Sequence, residues 1–195
     1  MAGKGLKKAK YNQIDAQTKK YKTLTDSKVP LLEKIIESKF SPEYNNAELY
    51  ADDALTESDS SFKKGTLSIV VADDKDEVCA ELLGNDVSEE NEVTSNVNDT
   101  APECGFGHIV PKIVNGIKKY KVEFFPRVKF TKITTDRKTK GESTEFATTN
   151  IEATVFPLSE AINGFEIGDW EKHKTFTTET EAETYLDTLL TPSVS

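Results

Sequence analysis

Cysteine, histidine, tryptophan and methionine are nearly absent from this chain: 195 residues hold two cysteines, two histidines, one tryptophan and one methionine. Two thiols, Cys79 and Cys104, make neither a disulfide framework nor a metal-ligand spacing, so a chain made in a reducing cytosol is the default. His108 and His173 have no Cys, His or carboxylate neighbours at ligand spacing, and His108, at the head of a strand, reads as structural. Glycine-rich phosphate cradles are missing, since Gly105-Phe106-Gly107 lacks both a third glycine and a following helix. No serine nucleophile elbow and no HExxH pair occurs. No apolar run approaches the ~18 residues of a membrane span. Lysines rather than an apolar stretch follow Met1–Leu6, so no secretory signal is expected. Hydrophobic residues reach only 36%, little for a large multilayered α/β enzyme. No enzyme activity, no cofactor and no metal site is expected.

Charge is what the chain has in quantity, and it comes in blocks. The net charge is -9. Residues 1–40 hold 10 basic and 4 acidic side chains, residues 41–104 hold 3 and 17, residues 105–140 hold 10 and 2, and residues 141–195 hold 2 and 11. Such blocks suit either a solvated surface or the meeting of positive and negative faces of successive copies. Basic-aromatic interleaving at Lys118-Lys119-Tyr120-Lys121 resembles a nucleic-acid platform, but the surrounding negative charge argues against free binding. The cluster Asp73-Asp74-Lys75-Asp76-Glu77 lacks the spacing of a calcium loop and reads as a helix start.

The periodicity predicts a mainly β protein with two short helices. Residues 6–14 and 20–25 flank a turn at Asp15–Thr18 and suggest a first hairpin. Leu31–Phe40 is read as a strand bounded by Pro30 and Pro42. Ser41–Asp53 is rich in turn formers and reads as a long loop. Ala54–Ala72 alternates, with Lys63-Lys64-Gly65 as a kink or bulge. A helix over about 74–83 opens on Asp74 with Glu77 three residues on and stops at Gly84; a polar, irregular stretch over 85–104 follows it. Asn115-Gly116 marks a hairpin between Ile109–Val114 and Lys118–Phe125, which Pro126 should end. Arg127–Ile133 alternates strictly. Thr178 with Glu181 marks a second helix over about 178–190, closed by Pro192. The expected division is an N-terminal hairpin or arm at 1–29, a β-domain at 30–156 and a C-terminal extension at 157–195.

The order of these features matters more than any one of them. A long acidic loop with Tyr50-Ala51-Asp52-Asp53 comes first, then a strand ending Gly65-Thr66-Leu67-Ser68-Ile69, then a short helix ending Leu82-Leu83-Gly84. Gly105-Phe106-Gly107, Tyr120–Val128 and Thr139–Phe146 follow. In this order they resemble the major tail, or tail tube, proteins of long-tailed non-contractile phages and prophages of Gram-positive bacteria, over roughly residues 30–156.

The resemblance implies a tail-tube-type β-sandwich or barrel with the first helix packed outside. Such subunits form hexameric rings that stack into a tube. It implies as partners other copies of the chain, the tape measure protein, and tail terminator and distal tail proteins. Double-stranded DNA would pass through the lumen without specific binding. No membrane would be involved, and the location would be the virion tail, with assembly in the host cytoplasm. Glu48, Tyr50, Asp52 and Asp53 are then expected in the loop that meets the next ring, and Glu57 and Asp59 on an acidic lumen wall. The alternative is a β-sandwich adhesin or carbohydrate-binding module, with Trp170 and Tyr44 as stacking aromatics.

Overall fold

The computed structural model describes residues 5–24, 28–51, 54–72, 75–88, 90, 92–136 and 148–192, with the backbone alone for 47–51 and 54–59. The chain is mainly β. Its strands are β1 (Lys7–Gln13), β2 (Leu31–Leu32), β3 (Ile35–Tyr44), β4 (Ala47–Ala51), β5 (Ala54–Asp59), β6 (Phe62–Val71), β7 (Asp86–Val87), β8 (Val93–Thr94), β9 (Glu103–Val114), β10 (Ile117–Asp136), β11 (Thr148–Val155) and β12 (Lys172–Phe176). Two helices, α1 (Asp76–Leu83) and α2 (Glu179–Leu190), complete it.

Eight strands form one antiparallel sheet in the order β2-β1-β9-β10-β11-β6-β3, with β12 also paired to β10. The two ends of this path, β2 and β3, are joined by only Glu33 and Lys34. Two residues span at most ~7 Å beyond their neighbours, so the sheet curls until its ends approach. Inside the curl Tyr11, Leu67, Ile69, Phe106, Phe125, Val128, Phe130, Ile151 and Val155 pack together, with Leu82 of α1 against them. A second cluster lies on the opposite face of β9 and β10, where α2 and Leu158, Ile162 and Phe165 cover Ile109, Val122 and Phe124.

One strand serves both cores because its alternation is interrupted. β10 pairs with β9 from Ile117↔Val114 to Phe125↔Phe106 and resumes at Val128↔Cys104, so β10 spends one residue more than its partner. That bulge shifts the phase of the side chains as far as Phe130, and a second register shift, between Phe130 and Lys132 against β11, returns Ile133 to the interior. Val122 and Phe124 face α2; Phe125, Val128 and Phe130 face the interior of the curl. Pro126, expected to break pairing, instead sits in the bulge, where a missing N–H costs no ladder bond. Its carbonyl accepts the buried Tyr21 hydroxyl at 2.9 Å.

Other expectations also need correction. The supposed loop 41–53 is strand for most of its length: β3 runs on through Pro42 to Tyr44, and 47–51 is β4. Pro42 is tolerated because β3 is an edge strand. Residues 20–24 form no strand against β1, although Tyr21 bridges Ile14 and the Lys22 N–H donates to the Gln13 carbonyl at 2.8 Å. β1 is no free arm, since it pairs with β9 and β2. The extension is tied in equally, with β12 on β10 and α2 against β1, where Lys10 Nζ lies 2.6 Å from Asp187 and 3.0 Å from Glu183. The divisions at 29/30 and 156/157 therefore do not separate independent cores. Between Gly84 and Glu103, the described residues of the expected irregular stretch hold only the two-residue strands β7 and β8.

The helix ends were read with mixed success. The capping box of Thr178 and Glu181 is formed in full, and Gly84 ends α1 in the left-handed region. The N-cap of α1 is Lys75, with no side-chain cap bond, while Asp74 lies outside the described residues. Gly84 has φ +75°, and a Cβ there would sit 2.4 Å from the Thr100 carbonyl oxygen. Gly84→Ala should therefore lower stability by ~2–3 kcal/mol, from a strained φ and a backbone clash together. A denaturant midpoint equal to wild type would contradict this.

Candidate assembly surfaces

β3, β6, β11 and the second half of β10 form a four-stranded unit whose rows can be followed across all four strands. Three inward rows are Ile133–Ile151–Ile69–Ser38, Phe130–Ala153–Leu67–Phe40 and Val128–Val155–Gly65–Pro42. The outward rows between them are Thr134–Asn150–Val70–Glu37, Lys132–Glu152–Ser68–Lys39 and Lys129–Thr154–Thr66–Ser41. Glu43 opposite Lys64 extends the outward face. This face is polar because each strand keeps apolar residues on alternate positions only. Ser68 donates to Asn150 Oδ1 at 3.0 Å, and both Lys63 and Lys64 reach Glu43, at 3.2 and 3.5 Å.

Both edges of this unit are open among the described residues. β3 pairs with β6 on one side and carries no ladder on the other. β10 loses its β9 partner after Lys129↔Glu103, so Phe130–Asp136 pair with β11 alone. Gly65 marks a close approach here: Phe40 lies across it, with a ring carbon 2.3 Å from where a Cβ would be. A register shift between Glu43 and Tyr44, opposite Lys64 and Phe62, is the irregularity expected near Lys63-Lys64-Gly65.

Four of the six predicted residues fall on one feature. Glu48 and Tyr50 are on β4, Glu57 and Asp59 on β5, and Asp52 and Asp53 lie outside the described residues. Among the described residues β4 and β5 pair only with each other. The segment expected as a loop is thus a two-stranded hairpin inserted between β3 and β6, and Glu57 and Asp59 stand off the four-stranded face. That face carries Lys39, Lys64, Lys129 and Lys132 against Glu37, Glu43 and Glu152, a surface of mixed charge. The rows were invisible in the sequence because they join residues more than a hundred positions apart.

Trp170 does not stand free as a sugar platform. Its indole stacks on Phe62 at 4.1 Å and 13°, and lies 5.6 Å from Phe40, which in turn meets Phe125 at 4.9 Å. Tyr44 contacts Phe62 edge-on at 6.1 Å. This run of rings pins the segment before β12 to β3 and β6.

A cleft of about 450 Å³ lies between Ile14, Pro102, Arg127, Leu158 and Ile162. Its strongest polar group is committed already. Arg127 Nη2 lies 2.6 Å from Glu103, and Nη1 donates to the Pro157 carbonyl and to Ser159 Oγ at 3.2 Å each. The thiol of Cys104, behind the Glu103 end of the cleft, is pushed up to about 12 by burial, which removes it as a nucleophile.

His108 and Glu123 face each other across β9 and β10, with Nε2 3.3 Å from the carboxylate, which also takes Lys121 Nζ at 2.7 Å. The hydrogen bond from buried His108, aided by Lys121, holds the Glu123 carboxyl down at about 2 against the opposing effect of burial. A carboxyl depressed on folding contributes stability above its unfolded value, near 4.5. That contribution fades as pH falls from there through about 2. Glu123→Gln should cost ~2–3 kcal/mol at pH 7, and the deficit should close on acidification toward pH 2. Urea titrations of both proteins at several pH values test this; a constant difference would assign Glu123 no proton-linked role.

No family model matches the chain, and no curated protein matches it in sequence.

Proposed function

We propose that this chain is the self-assembling subunit of a tube of the phage-tail kind, built from cyclic rings stacked along one axis. The observation that carries the reading is the four-stranded unit with two open edges. Each step from β3 to β6, β11 and β10 is antiparallel, so the outer strands β3 and β10 run in opposite directions. A rotation about an axis along the strands leaves strand direction unchanged. The β3 edge of one copy would therefore meet β10 of the next in antiparallel pairing, for a ring of any size. Closure satisfies edges that would otherwise invite irregular aggregation.

The ring size expected from the family resemblance, six, would give a barrel of about two dozen strands. That is wider than the 16–18 strands that already enclose an aqueous channel. The polar outward rows would line this lumen. Their lysines alternate with glutamates, threonines and serines, so duplex DNA sliding past meets no continuous basic wall on which phosphates would be held. The tape measure protein would occupy the same channel before DNA, and the terminator and distal tail proteins would cap its ends.

Negative-stain electron microscopy of the concentrated protein tests this directly. Rings or tubes of one uniform diameter are expected. A protein that stays monomeric at every concentration, or that forms amorphous aggregates only, would overturn the reading.

A further inference from the structure

We infer that the acidic β4–β5 hairpin of one copy docks on the basic tip of the β9–β10 hairpin of its neighbour around the ring. The inference rests on the ring reading and assigns the hairpin a lateral partner, whereas the family resemblance leads one to expect a partner in the next ring.

The acceptor is a projection with unmet charge. β1 leaves β9 at Lys7↔Ile109, and β12 reaches β10 only as far as Tyr120↔Phe176. Between those points β9 and β10, among the described residues, pair with each other alone, turning at Asn115 and Gly116 with φ of 51° and 79°. Residues 110–121 hold four lysines and no acidic residue. Lys112 stands directly opposite Lys119, a like-charge pairing that opposes the hairpin on its own. Seven lysines lie against carboxylates: Lys7, Lys8, Lys10, Lys63, Lys64, Lys75 and, at the base of the tip itself, Lys121. Lys112, Lys118 and Lys119 have no ion-pair partner among the described residues, and Ile113 and Ile117 beside them are 42% and 61% exposed. On each face of the hairpin an exposed isoleucine stands with unpaired lysine, Ile117 with Lys112 and Lys119 and Ile113 with Lys118, which fits an acidic partner with apolar residues of its own.

The occupant is in the same chain. Residues 44–61 hold five acidic residues and no basic one, together with Leu49, Tyr50 and Leu55. Topology brings the two together. Pro42 of β3 is level with Val128 of β10 through the row Val128–Val155–Gly65–Pro42. Beyond that row β3 continues through Tyr44 into β4, while β10, followed backwards, continues toward its tip at Ile117. In the proposed ring β3 lies beside the neighbour's β10. The β4–β5 hairpin then extends in the same direction as the neighbour's β9–β10 hairpin, alongside it.

Charge exchange tests the contact. E48K/E57K and K112E/K119E, each checked for a wild-type thermal transition, should each weaken self-association at least ~10-fold by analytical ultracentrifugation. The four-fold variant carrying both changes should recover to within ~3-fold of wild type, because each exchanged pair attracts again with its signs reversed, although the net charges of the two segments fall to -1 and 0. Carbodiimide treatment of mixed isotope-labelled and unlabelled wild-type protein should also join Lys112 or Lys119 of one copy to Glu48 or Glu57 of another. Unchanged association of K112E/K119E, failure of the four-fold variant to recover, or cross-links found only within one copy would each overturn the assignment. So would loss of DNA retention by K112E/K119E with association intact, which would make the tip a nucleic-acid contact. Rings that persist in these variants refute the docking and leave the tube reading standing; wild-type protein without rings refutes the tube reading itself.

Discussion

Deleting Pro126 should abolish folding, while Pro126→Ala should leave a protein close to wild type. The bulge at Phe125–Val128 is one residue long, and β-strands alternate with a period of two, so removing one residue turns every later side chain of β10 to the opposite face. Val128 and Phe130, both fully buried, would move to the polar outward side. Lys129 would move inward, toward Leu67 and Val155. Exposing a valine and a phenylalanine costs ~4–6 kcal/mol, and burying an unpaired lysine costs several more, together comparable to the whole ~5–15 kcal/mol of a typical domain. Pro126→Ala keeps the residue count and the carbonyl that accepts from Tyr21, so a loss of no more than ~1 kcal/mol is expected. Near-UV circular dichroism and thermal unfolding of both variants decide the matter. A cooperative, wild-type-like transition in the deletion would mean that β10 can re-register without penalty.

That bulge also shows where reading the sequence stops. Local devices were legible because their physics is local. Asn115-Gly116 supplies two successive residues with positive φ, Thr178 and Glu181 satisfy each other's backbone N–H groups, and Gly84 alone fits the left-handed position beside Thr100. Pro126 carried the opposite message, because proline ends pairing in an unbulged central strand and only the register of β9 reveals the bulge. Pro42, Asn45 and Asn46 made 41–53 read as loop, although an edge strand accepts proline and a hairpin accepts polar residues. The partner of β1 is β9, roughly a hundred residues away, and nothing local announces it. Ser41–Asp53 reads as a loop that holds Glu48, and Glu57 and Asp59 read as part of the strand leading into Leu67–Val71; the structure puts all three on a hairpin whose strands, among the described residues, pair with each other alone. The open edges of β3 and β10, which carry the functional proposal, are properties of sheet order and have no signature in composition or periodicity.

Proline scanning of β3 gives the largest effect expected on assembly. Successive residues of an edge strand direct their N–H groups alternately toward the partner strand and away from it. Of the pair Ser38→Pro and Lys39→Pro, one removes a donor to β6 and the other removes a donor pointing into solvent in the single copy. The first should lose several kcal/mol of stability, as for proline within a sheet ladder. The second should unfold within ~1 kcal/mol of wild type, since its N–H has only water to lose. In a ring that same N–H would bond to the neighbour's β10, and the pyrrolidine ring would also obstruct the approach of the strand. The more stable of the two variants should therefore be a folded monomer that forms neither rings nor tubes at concentrations where wild type is fully assembled. Should that variant assemble like wild type, β3 is not the joining edge, and ring closure must be sought on another surface of the sheet.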